Sequence, residues 1–305
     1  MRSLLWFATV PLTIALACGG DGGTNFNLDG GGGNDGSGDL DVTTPITDGN
    51  PGFGDSAPSE SGAPSDASGP EVDYVYAHSP SVLYKVDPVA KTMTTVAGFS
   101  SNCATEEVID IAIDENSNGY ATTFSGVYKL DLKTAICTLI KSGSYPNSLS
   151  FVPAGTLDPN VEALVGYNGS TYVRIDPTSG DVTTVGGLTG GYASSGDIVS
   201  VKGGGTFLTV TGNACGDCLL QVDPKTGDMI QNYGSVNHSA VYGLAFWAGT
   251  AYGFDDAGQL FSITWQNNQL VTTNIPTTGG LEFWGAGSTT SAPATSSDGG
   301  GIPIN

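Results

Sequence analysis

The sequence predicts an all-β protein, a five-bladed β-propeller in which each blade has four strands. A short alternating run, a turn of Asp-Pro-Thr-Gly type and a second β-rich run occur five times, with variations. The aligned positions lie 44, 45, 47 and 41 residues apart, close to the length of a four-stranded blade. A second pair of strand-like segments separates successive copies, so each period holds four strands. The copies align on Asp87, Asp131, Asp176, Asp223 and Thr264.

Composition agrees with this prediction. The chain has 305 residues, of which 46 are glycine, and no helical pattern of apolar residues runs far. Its formal net charge is −21, from 30 acidic and 9 basic residues. Nucleic-acid binding needs clustered Lys and Arg, so this charge argues against a nucleic-acid partner. It is compatible with solubility and with affinity for cations. We expect a monomer.

The N-terminus predicts export. Met1–Ala17 has one basic residue and an apolar run too short to span a bilayer, which is typical of a signal peptide over residues 1–17. Residues 15–18, Ala-Leu-Ala-Cys, resemble the lipobox of bacterial lipoproteins, although leucine stands one place later than usual. The resemblance implies lipidation of Cys18 and a cell-envelope location, at the outer membrane or cell surface. The alternative is an ordinary signal peptide and a secreted protein.

The segment that follows is predicted to be a disordered tether. Residues 18–70 consist mainly of Gly, Asp, Ser, Pro, Thr and Asn, with few apolar side chains to bury. Such a segment cannot offset the entropy that it would lose on ordering. A flexible acidic tether after a lipidated cysteine would connect a folded domain to a membrane, and several acyl chains make such an anchor stable.

The repeat itself is a predicted hairpin. In Tyr172–Gly187, Val173 and Ile175 point to one face of a strand, and the intervening residues point to the other. The turn Asp176–Gly180 then combines an Asp that accepts hydrogen bonds from backbone amides, a Pro that sets φ and a Gly for the left-handed position. We therefore interpret the recurring Asp-Pro pair as structural.

Three neighbouring motifs carry a resemblance to a known family. Gly243–Phe246, Gly249–Gly253 and Leu260–Ile263 resemble blades of the NHL and SMP-30/gluconolactonase-type propellers, in which a Gly-Leu-Ala inner strand precedes a Gly-x-Leu-Tyr strand. The resemblance covers roughly residues 72–290 and lies in scaffold residues. It implies a propeller fold and leaves activity open, because function is carried by loops on such folds.

The two ends of the repeated region are predicted to close the ring. One strand, Val72–Ala77, precedes the first hairpin, where the other blades have two. Gly280–Gly285 resembles an inner strand but no outer strands follow it. We expect Leu281–Trp284 to supply the inner strand beside Val72–Ala77, because a propeller must hide its edge strands. The propeller then spans residues 71–290, and low-complexity residues 291–305 form a disordered tail.

Four cysteines besides Cys18 predict disulfides. An even number in an exported chain indicates oxidised pairs rather than free thiols. Zinc is the alternative for the Cys-x-x-Cys motif, but the sequence has two histidines and no second such motif. We predict one disulfide between Cys215 and Cys218, in a turn between two strands, and one between Cys103 and Cys137.

The inner strands supply a candidate metal site. When they are aligned, five residues occupy equivalent positions and should ring the central channel: Asp110, Ser148, Asp197, Gly243 and Gly280. Glu282 lies two residues further along one strand and is predicted to share its face. A divalent cation would then sit among Asp110, Asp197 and Glu282, as the SMP-30 resemblance implies. The Glu, Asn, Asn, Asp set of those enzymes cannot be placed here, and the alternative is a wet channel lined by small and acidic residues.

Two functions follow from these observations. The first is a non-enzymatic, lipid-anchored propeller of the cell envelope that binds a protein or glycan through loops on one face, without a cofactor. The second is a metal-dependent hydrolase or lyase of the SMP-30 type with its site at the central channel. We favour the first, because the sequence predicts an anchor and a tether and contains no recognisable catalytic set, such as a Gly-x-Ser-x-Gly motif. Aromatic residues near the C-terminus are predicted to pack in the core, with a sugar-stacking surface as the alternative: Phe246, Trp247, Phe283 and Trp284.

Overall fold

The protein is a five-bladed β-propeller. The computed structural model describes residues 75–295 and 301–304. In this part of the chain every regular element is a strand, and the strands form five sheets of four antiparallel strands each, one of them with an added two-residue strand. The innermost strands contact one another in a closed ring, which defines the axis. The predicted fold class is confirmed.

From the axis outward, the first blade contains β21 (Gly285–Gly287), β1 (Val75–His78), β2 (Val82–Asp87) and β3 (Thr92–Gly98). The second contains β5 (Val108–Ile113), β6 (Gly119–Thr123), β7 (Gly126–Leu130), β8 (Ile136–Ser142) and the short β4 (Ser100–Ser101). The third contains β9 (Leu149–Val152), β10 (Ala163–Asn168), β11 (Thr171–Ile175) and β12 (Val182–Gly187).

The last two blades follow the same order. The fourth contains β13 (Ala193–Val201), β14 (Gly205–Gly212), β15 (Cys215–Val222) and β16 (Met229–Ser235). The fifth contains β17 (Val241–Trp247), β18 (Thr250–Asp255), β19 (Leu260–Gln266) and β20 (Gln269–Ile275). Apolar side chains of neighbouring blades interdigitate between the sheets, as where Phe207 stacks on Phe246 with ring centroids 5.8 Å apart.

The recurring aspartate shapes the outer hairpin turn, as predicted. The Asp176 Oδ1 atom accepts hydrogen bonds from the amides of Thr178 and Ser179 at 2.8 and 2.9 Å. These amides hold the pKa of Asp176 below its ordinary value. Gly180 takes φ 71°, a conformation that favours glycine. The role of the Asp-Pro repeat is therefore local turn formation.

Ring closure by a C-terminal inner strand is confirmed, but the predicted residues are wrong. The strand beside β1 is β21, which begins at Gly285, and not Leu281–Trp284. Phe283 is fully buried against Phe254 and other apolar residues between the blades. Of the predicted residues, Trp284 contacts β1, because its amide donates to the His78 carbonyl at 2.8 Å just before β21 begins. Gly285 also replaces Gly280 at the aligned inner position, because it lies against Gly243.

A segment after β21 covers the far end of the channel. We call residues 288–294 the capping segment. Thr289 bridges to Ile113 of the second blade, and the Thr290 carbonyl accepts a hydrogen bond from the Lys202 amide of the fourth at 2.9 Å. The Thr290 hydroxyl donates to Glu162 of the third blade. The segment therefore joins several blades at the ends of their inner strands.

The C-terminal residues that the structure describes are packed, in contrast to the predicted tail. The Pro293 carbonyl accepts a hydrogen bond from the amide of Ala248 in the fifth blade at 2.6 Å. Ala292 and Ile302 are buried in the apolar cluster between the fourth and fifth blades, with exposures of 3% and 5%. Low-complexity composition hid this contact, because two apolar residues are too few to form a periodic pattern.

Both predicted disulfides are present. Cys103 pairs with Cys137, with Cα atoms 5.6 Å apart, and Cys215 pairs with Cys218, with Cα atoms 5.9 Å apart. The second pair lies at the start of β15 and not in the preceding turn, which corrects the predicted location. The first pair ties the segment before β5 to strand β8 of the same blade. The predicted signal peptide, Cys18 and the predicted tether over residues 18–70 lie outside the described residues.

A membrane-spanning helix is not part of the described structure. Across residues 75–295 and 301–304, no helix has the length and hydrophobicity needed to cross a bilayer.

Candidate ligand-binding site

Two aspartates meet on the propeller axis, as the strand alignment predicts. Asp110 of β5 and Asp197 of β13 are both fully buried, and their carboxyl groups hydrogen bond to each other. The two blades that carry them are separated by the third blade. A ring of five strands thus brings the two side chains into contact across the channel.

A backbone amide donates to each of the four carboxyl oxygens of this pair. Asp110 accepts from the amide of Ile111 in its own strand at 2.7 Å and from Leu149 in the third blade at 2.6 Å. Asp197 repeats the pattern with Ile198 at 2.7 Å and with Leu244 in the fifth blade at 2.9 Å. Each carboxyl group therefore ties its own inner strand to that of the following blade.

Burial raises the pKa of both carboxyl groups well above the ordinary value. The nearby charge of Asp197 and the hydrogen bond between the two groups raise the pKa of Asp110 further. Two carboxylates in contact cannot both ionise without strong repulsion, so the pair retains a proton that an exposed aspartate would lose. That proton forms the hydrogen bond between the two side chains.

Glu282 does not join this pair. It is exposed and lies outside the strands, whereas Asp110 and Asp197 are buried. The prediction that it shares a strand face with them depended on the strand at Leu281–Trp284, which the structure replaces with Gly285–Gly287. Within the described residues, no group of three or more His, Cys, Asp or Glu side chains is arranged to hold a metal ion. The predicted three-carboxylate set is therefore not assembled.

Two further polar side chains lie near this layer of the channel. His78 is fully buried, its Nδ1 donates to the Ser79 carbonyl at 2.9 Å, and its Nε2 has no hydrogen-bond partner among the described residues. Burial lowers the pKa of His78 to about 4, so the imidazole is neutral at neutral pH. The hydroxyl of Ser148 is also buried without a partner. A Cβ atom on Gly285 would lie 2.3 Å from His78 Nε2, so only glycine fits there.

The mouth of the channel is a small concave pocket above this layer. Five of the residues that line it each precede, by one place in the sequence, a residue at the aligned inner position of a blade. The sixth follows the end of β6. Its volume is about 270 Å³. The lining residues are Ile109, Phe124, Asn147, Gly196, Tyr242 and Trp284. We call this pocket the axial mouth and the end of the propeller that carries it the open face.

Aromatic side chains distinguish the axial mouth from the layer beneath it. Phe124, Tyr242 and Trp284 come from three different blades, and Phe124 is 65% exposed. The buried pair Asp110 and Asp197 lies beneath the mouth, and the capping segment lies at the opposite ends of the inner strands. A concave surface with exposed aromatic rings and a nearby amide is typical of a ligand-binding site.

The predicted aromatic cluster divides between core and surface. Phe246 and Phe283 are fully buried, and Trp247 packs against two apolar clusters, so core packing accounts for these three. Trp284 alone of the four lines the axial mouth. Apart from Trp284, the residues that line the axial mouth were missed by the sequence analysis: Ile109, Phe124, Asn147, Gly196 and Tyr242. Extending the strand alignment by one residue toward the N-terminus would have found most of them.

A larger cavity lies between the first two blades, at the side of the capping segment. It has a volume of about 670 Å³, and its lining includes Lys85, Lys129, Lys133 and Thr289. These three lysines are a third of the 9 basic residues of the chain. Blade side chains and hairpin turns form its walls, and it lies away from the axial mouth.

Comparisons with known proteins give fold-level likenesses only. No protein-family model matches the sequence, and no curated protein is significantly similar to it. The chain is similar to a chain in the crystal structure of a nidogen/laminin complex, with TM-score 0.46 and 10% identity, covering 71% of this chain and 97% of that chain. It is also similar to PQQ-bound aldose sugar dehydrogenase from Streptomyces coelicolor, with TM-score 0.39 and 12% identity, covering 66% and 77%.

A third similar structure is BamB from Moraxella catarrhalis, with TM-score 0.33 and 14% identity, covering 67% of this chain and 70% of that chain. At these TM-scores the similarities carry no argument about function. The class of protein rests on the blades themselves: a five-bladed β-propeller with a capped channel.

Proposed function

We propose that the protein is a lipid-anchored propeller of the bacterial cell envelope that acts as a non-enzymatic binding module, with its ligand, a protein or a glycan, at the open face. The observation that carries the proposal is the axial mouth, where three aromatic side chains from different blades surround a recess of about 270 Å³. Ligand sites are preferentially concave and aromatic, and this recess meets both criteria.

The exposure of Phe124 supports a role in binding. A phenylalanine that is 65% exposed gains little from the core, so its position at the edge of a recess is better explained by contact with a ligand. Binding at this mouth would bury the ring and the neighbouring edges of Tyr242 and Trp284. The size of the recess suits one sugar ring or the tip of a protein loop.

The chemistry of the axial aspartates supports binding rather than catalysis. Asp110 and Asp197 each accept two backbone hydrogen bonds in addition to the bond between them. A general base needs a lone pair directed at substrate, and these carboxyl groups are buried beneath the mouth and engaged with amides. Their role in this proposal is to hold the inner strands together below the binding surface.

The anchor is proposed from the sequence. The apolar run that ends at Cys18 and the acidic residues that follow support a lipidated cysteine with a flexible connection to the propeller. Cys18→Ser should release the protein from the membrane fraction into the soluble fraction. Identical detergent partitioning of this variant and the parent, with no acyl mass on the parent, would contradict the anchor.

A matched pair of variants tests the binding site. The full chain would be used to capture ligands from envelope extracts and to probe a glycan array, in parallel with Phe124→Ala and Val89→Ala. Val89 is 74% exposed in an outer hairpin turn between β2 and β3, so it controls for loss of surface hydrophobicity. We expect Phe124→Ala to lose the captured ligand and Val89→Ala to retain it. Equal capture by both variants would contradict the proposal.

A further inference from the structure

A second concave site lies on the open face, beside the axial mouth. Its volume is about 590 Å³, and its walls come from the loop between β16 and β17 and from the turn between β18 and β19. Asp255 at the end of β18 pairs with Val241, the neighbour of Tyr242 in the axial mouth. Apart from Ala257, the lining side chains are polar: Asn237, His238, Ser239, Asp255, Gln259 and Asn274. We call this site the histidine pocket.

Two contacts fix the imidazole of His238. Its Nδ1 donates a hydrogen bond to Asp255 Oδ2 at 3.0 Å, and its ring stacks on the buried Phe261, with centroids 3.6 Å apart and an interplanar angle of 6°. Asp255 is held in turn, because its Oδ1 accepts from the Gln259 amide at 2.8 Å. Since Nδ1 is engaged with Asp255, Nε2 is the ring nitrogen left for a ligand. Sequence reasoning missed this pair, whose members lie 17 residues apart.

Nε2 of His238 is positioned for a ligand. Its side chain is 11% exposed, and Nε2 has no hydrogen-bond partner among the residues that the structure describes. Around it, Asn274 donates to the Gln259 side-chain oxygen at 3.3 Å, which leaves further amide donors and acceptors exposed at the edge of the pocket. The pocket thus presents an oriented acceptor together with neutral groups of both hydrogen-bonding types.

We propose that the histidine pocket binds hydroxyl groups of a neutral carbohydrate that extends across the open face from the axial mouth. This inference rests on the proposed function and names the ligand class. A hydroxyl group both donates and accepts, so it matches amides, a serine hydroxyl and an imidazole acceptor in one site. Aromatic rings at the mouth would contact the apolar face of a sugar ring, and the pocket would bind its hydroxyl edge.

The charge of the pocket argues for a neutral ligand. Asp255 is the one carboxyl group among the lining residues, and the chain as a whole carries a formal net charge of −21. An acidic sugar or a phosphate would meet repulsion there, without a lysine or arginine among the lining residues. The pocket is a poor metal site, because the described residues include no group of three His, Cys, Asp or Glu side chains that could hold a metal ion.

Variants of the full chain test the assignment. Binding of neutral oligosaccharides, of a uronic-acid oligosaccharide and of zinc chloride would be measured by calorimetry for the parent, His238→Phe and Gln259→Ala. Phenylalanine keeps a flat ring over Phe261 and removes Nε2. Gln259 is exposed, so its substitution keeps the test valid if His238→Phe fails to fold. The control is Gln266→Ala, an exposed glutamine at the outer hairpin of the same blade.

We expect at least one neutral oligosaccharide to bind. Its affinity should fall about tenfold or more in His238→Phe and Gln259→Ala, because a lost bidentate or buried hydrogen bond has an effect of this size. Its affinity should be unchanged in Gln266→Ala. Saccharide binding that Phe124→Ala abolishes but both pocket variants retain would overturn this inference and leave the proposed function standing. Zinc binding without saccharide binding, or tighter binding of the uronic acid, would also overturn it. If Phe124 is required to capture an envelope protein and no saccharide binds, the carbohydrate assignment is wrong and the proposed function stands.

Discussion

The carboxyl group of Asp110 accepts a hydrogen bond from the backbone amide of Leu149, 39 residues away in the next blade, at 2.6 Å. The same geometry recurs between Asp197 and Leu244, 47 residues apart, at 2.9 Å. These contacts join inner strands that share no ladder of backbone hydrogen bonds, because each blade is a separate sheet. Two buried carboxyl groups therefore connect four of the five blades at the axis.

Removing one member of the pair should destabilise the whole propeller. In Asp110→Ala, two buried amides lose their acceptor and Asp197 loses its partner, so we expect a loss of about 3–5 kcal/mol in the free energy of unfolding. Urea denaturation of the parent and variant measures this difference. The exposed turn residue Asp176 is the matched control, and Asp176→Ala should lose about 1 kcal/mol or less. Comparable losses in the two variants would refute the structural role of the axial pair.

His78 should make the folded protein less stable as the pH becomes mildly acidic. Its pKa is lowered to about 4 by burial, so the folded state disfavours the proton that the unfolded chain binds near pH 6.5. The stability that the neutral ring contributes is complete above pH 6.5 and is lost as the pH falls toward 4, by up to about 3 kcal/mol.

The test compares the parent with His78→Gln, which cannot titrate. Urea unfolding from pH 7 to pH 4 should show a steeper decline for the parent. The raised pKa values of Asp110 and Asp197 act in the opposite direction, because they favour folding as the pH falls toward the ordinary aspartate pKa. Both proteins contain that pair, so its contribution cancels in the difference. Parallel pH profiles would show that His78 is not the buried neutral group described here.

The C-terminal contact with the fourth and fifth blades should contribute measurably to stability. Ile302 is 5% exposed and Ile304 is 47% exposed, so one short segment provides a buried isoleucine and a matched exposed control. Ile302→Ala should lower the free energy of unfolding by about 2–4 kcal/mol, and Ile304→Ala by less than about 0.5 kcal/mol. Thermal and urea unfolding of both variants measure the difference. If Ile302→Ala unfolds like the parent, residues near the C-terminus do not belong to the core.

The two disulfides should differ in their effect on stability. The Cys103–Cys137 pair closes a loop with a sequence separation of 34, and the Cys215–Cys218 pair one of 3. In the chain-entropy model, loss of the longer loop costs roughly 4 kcal/mol and loss of the shorter one less than about 2 kcal/mol. Unfolding of Cys103→Ala/Cys137→Ala and of Cys215→Ala/Cys218→Ala provides the comparison. An equal effect, or free thiols in the native exported protein, would contradict this account.

The repeat explains why the fold could be predicted. Alternating strands and Asp-Pro turns are local patterns, and the even spacing of their copies gives the number of blades. The error in ring closure came from Gly280, which the alignment placed at the inner position that Gly285 occupies. Gly280 and Gly285 both lack a side chain, so the alignment could not decide which of them occupies the inner position. The burial of Phe283 between blades decides it, and only the three-dimensional packing reveals that burial.

The site was predicted in part. Equivalent strand positions converge on a propeller axis, which is why Asp110 and Asp197 could be placed together from the sequence. Phe124 follows a β-strand without any motif, and the contact between His238 and Asp255 joins a loop to a strand end. Such contacts depend on how loops fold over the open face. Spacing along the chain carries no information about them.

Site-specific crosslinking tests the claim that the ligand binds at the axial mouth most directly. A photoreactive phenylalanine analogue would replace Phe124 in the full chain, and in a second protein it would replace Val89, which is also exposed. After irradiation of intact cells, the account predicts that the analogue at position 124 forms a discrete crosslinked species with an envelope component and that the analogue at position 89 does not. Crosslinking that is equal at the two positions, or confined to position 89, would contradict it.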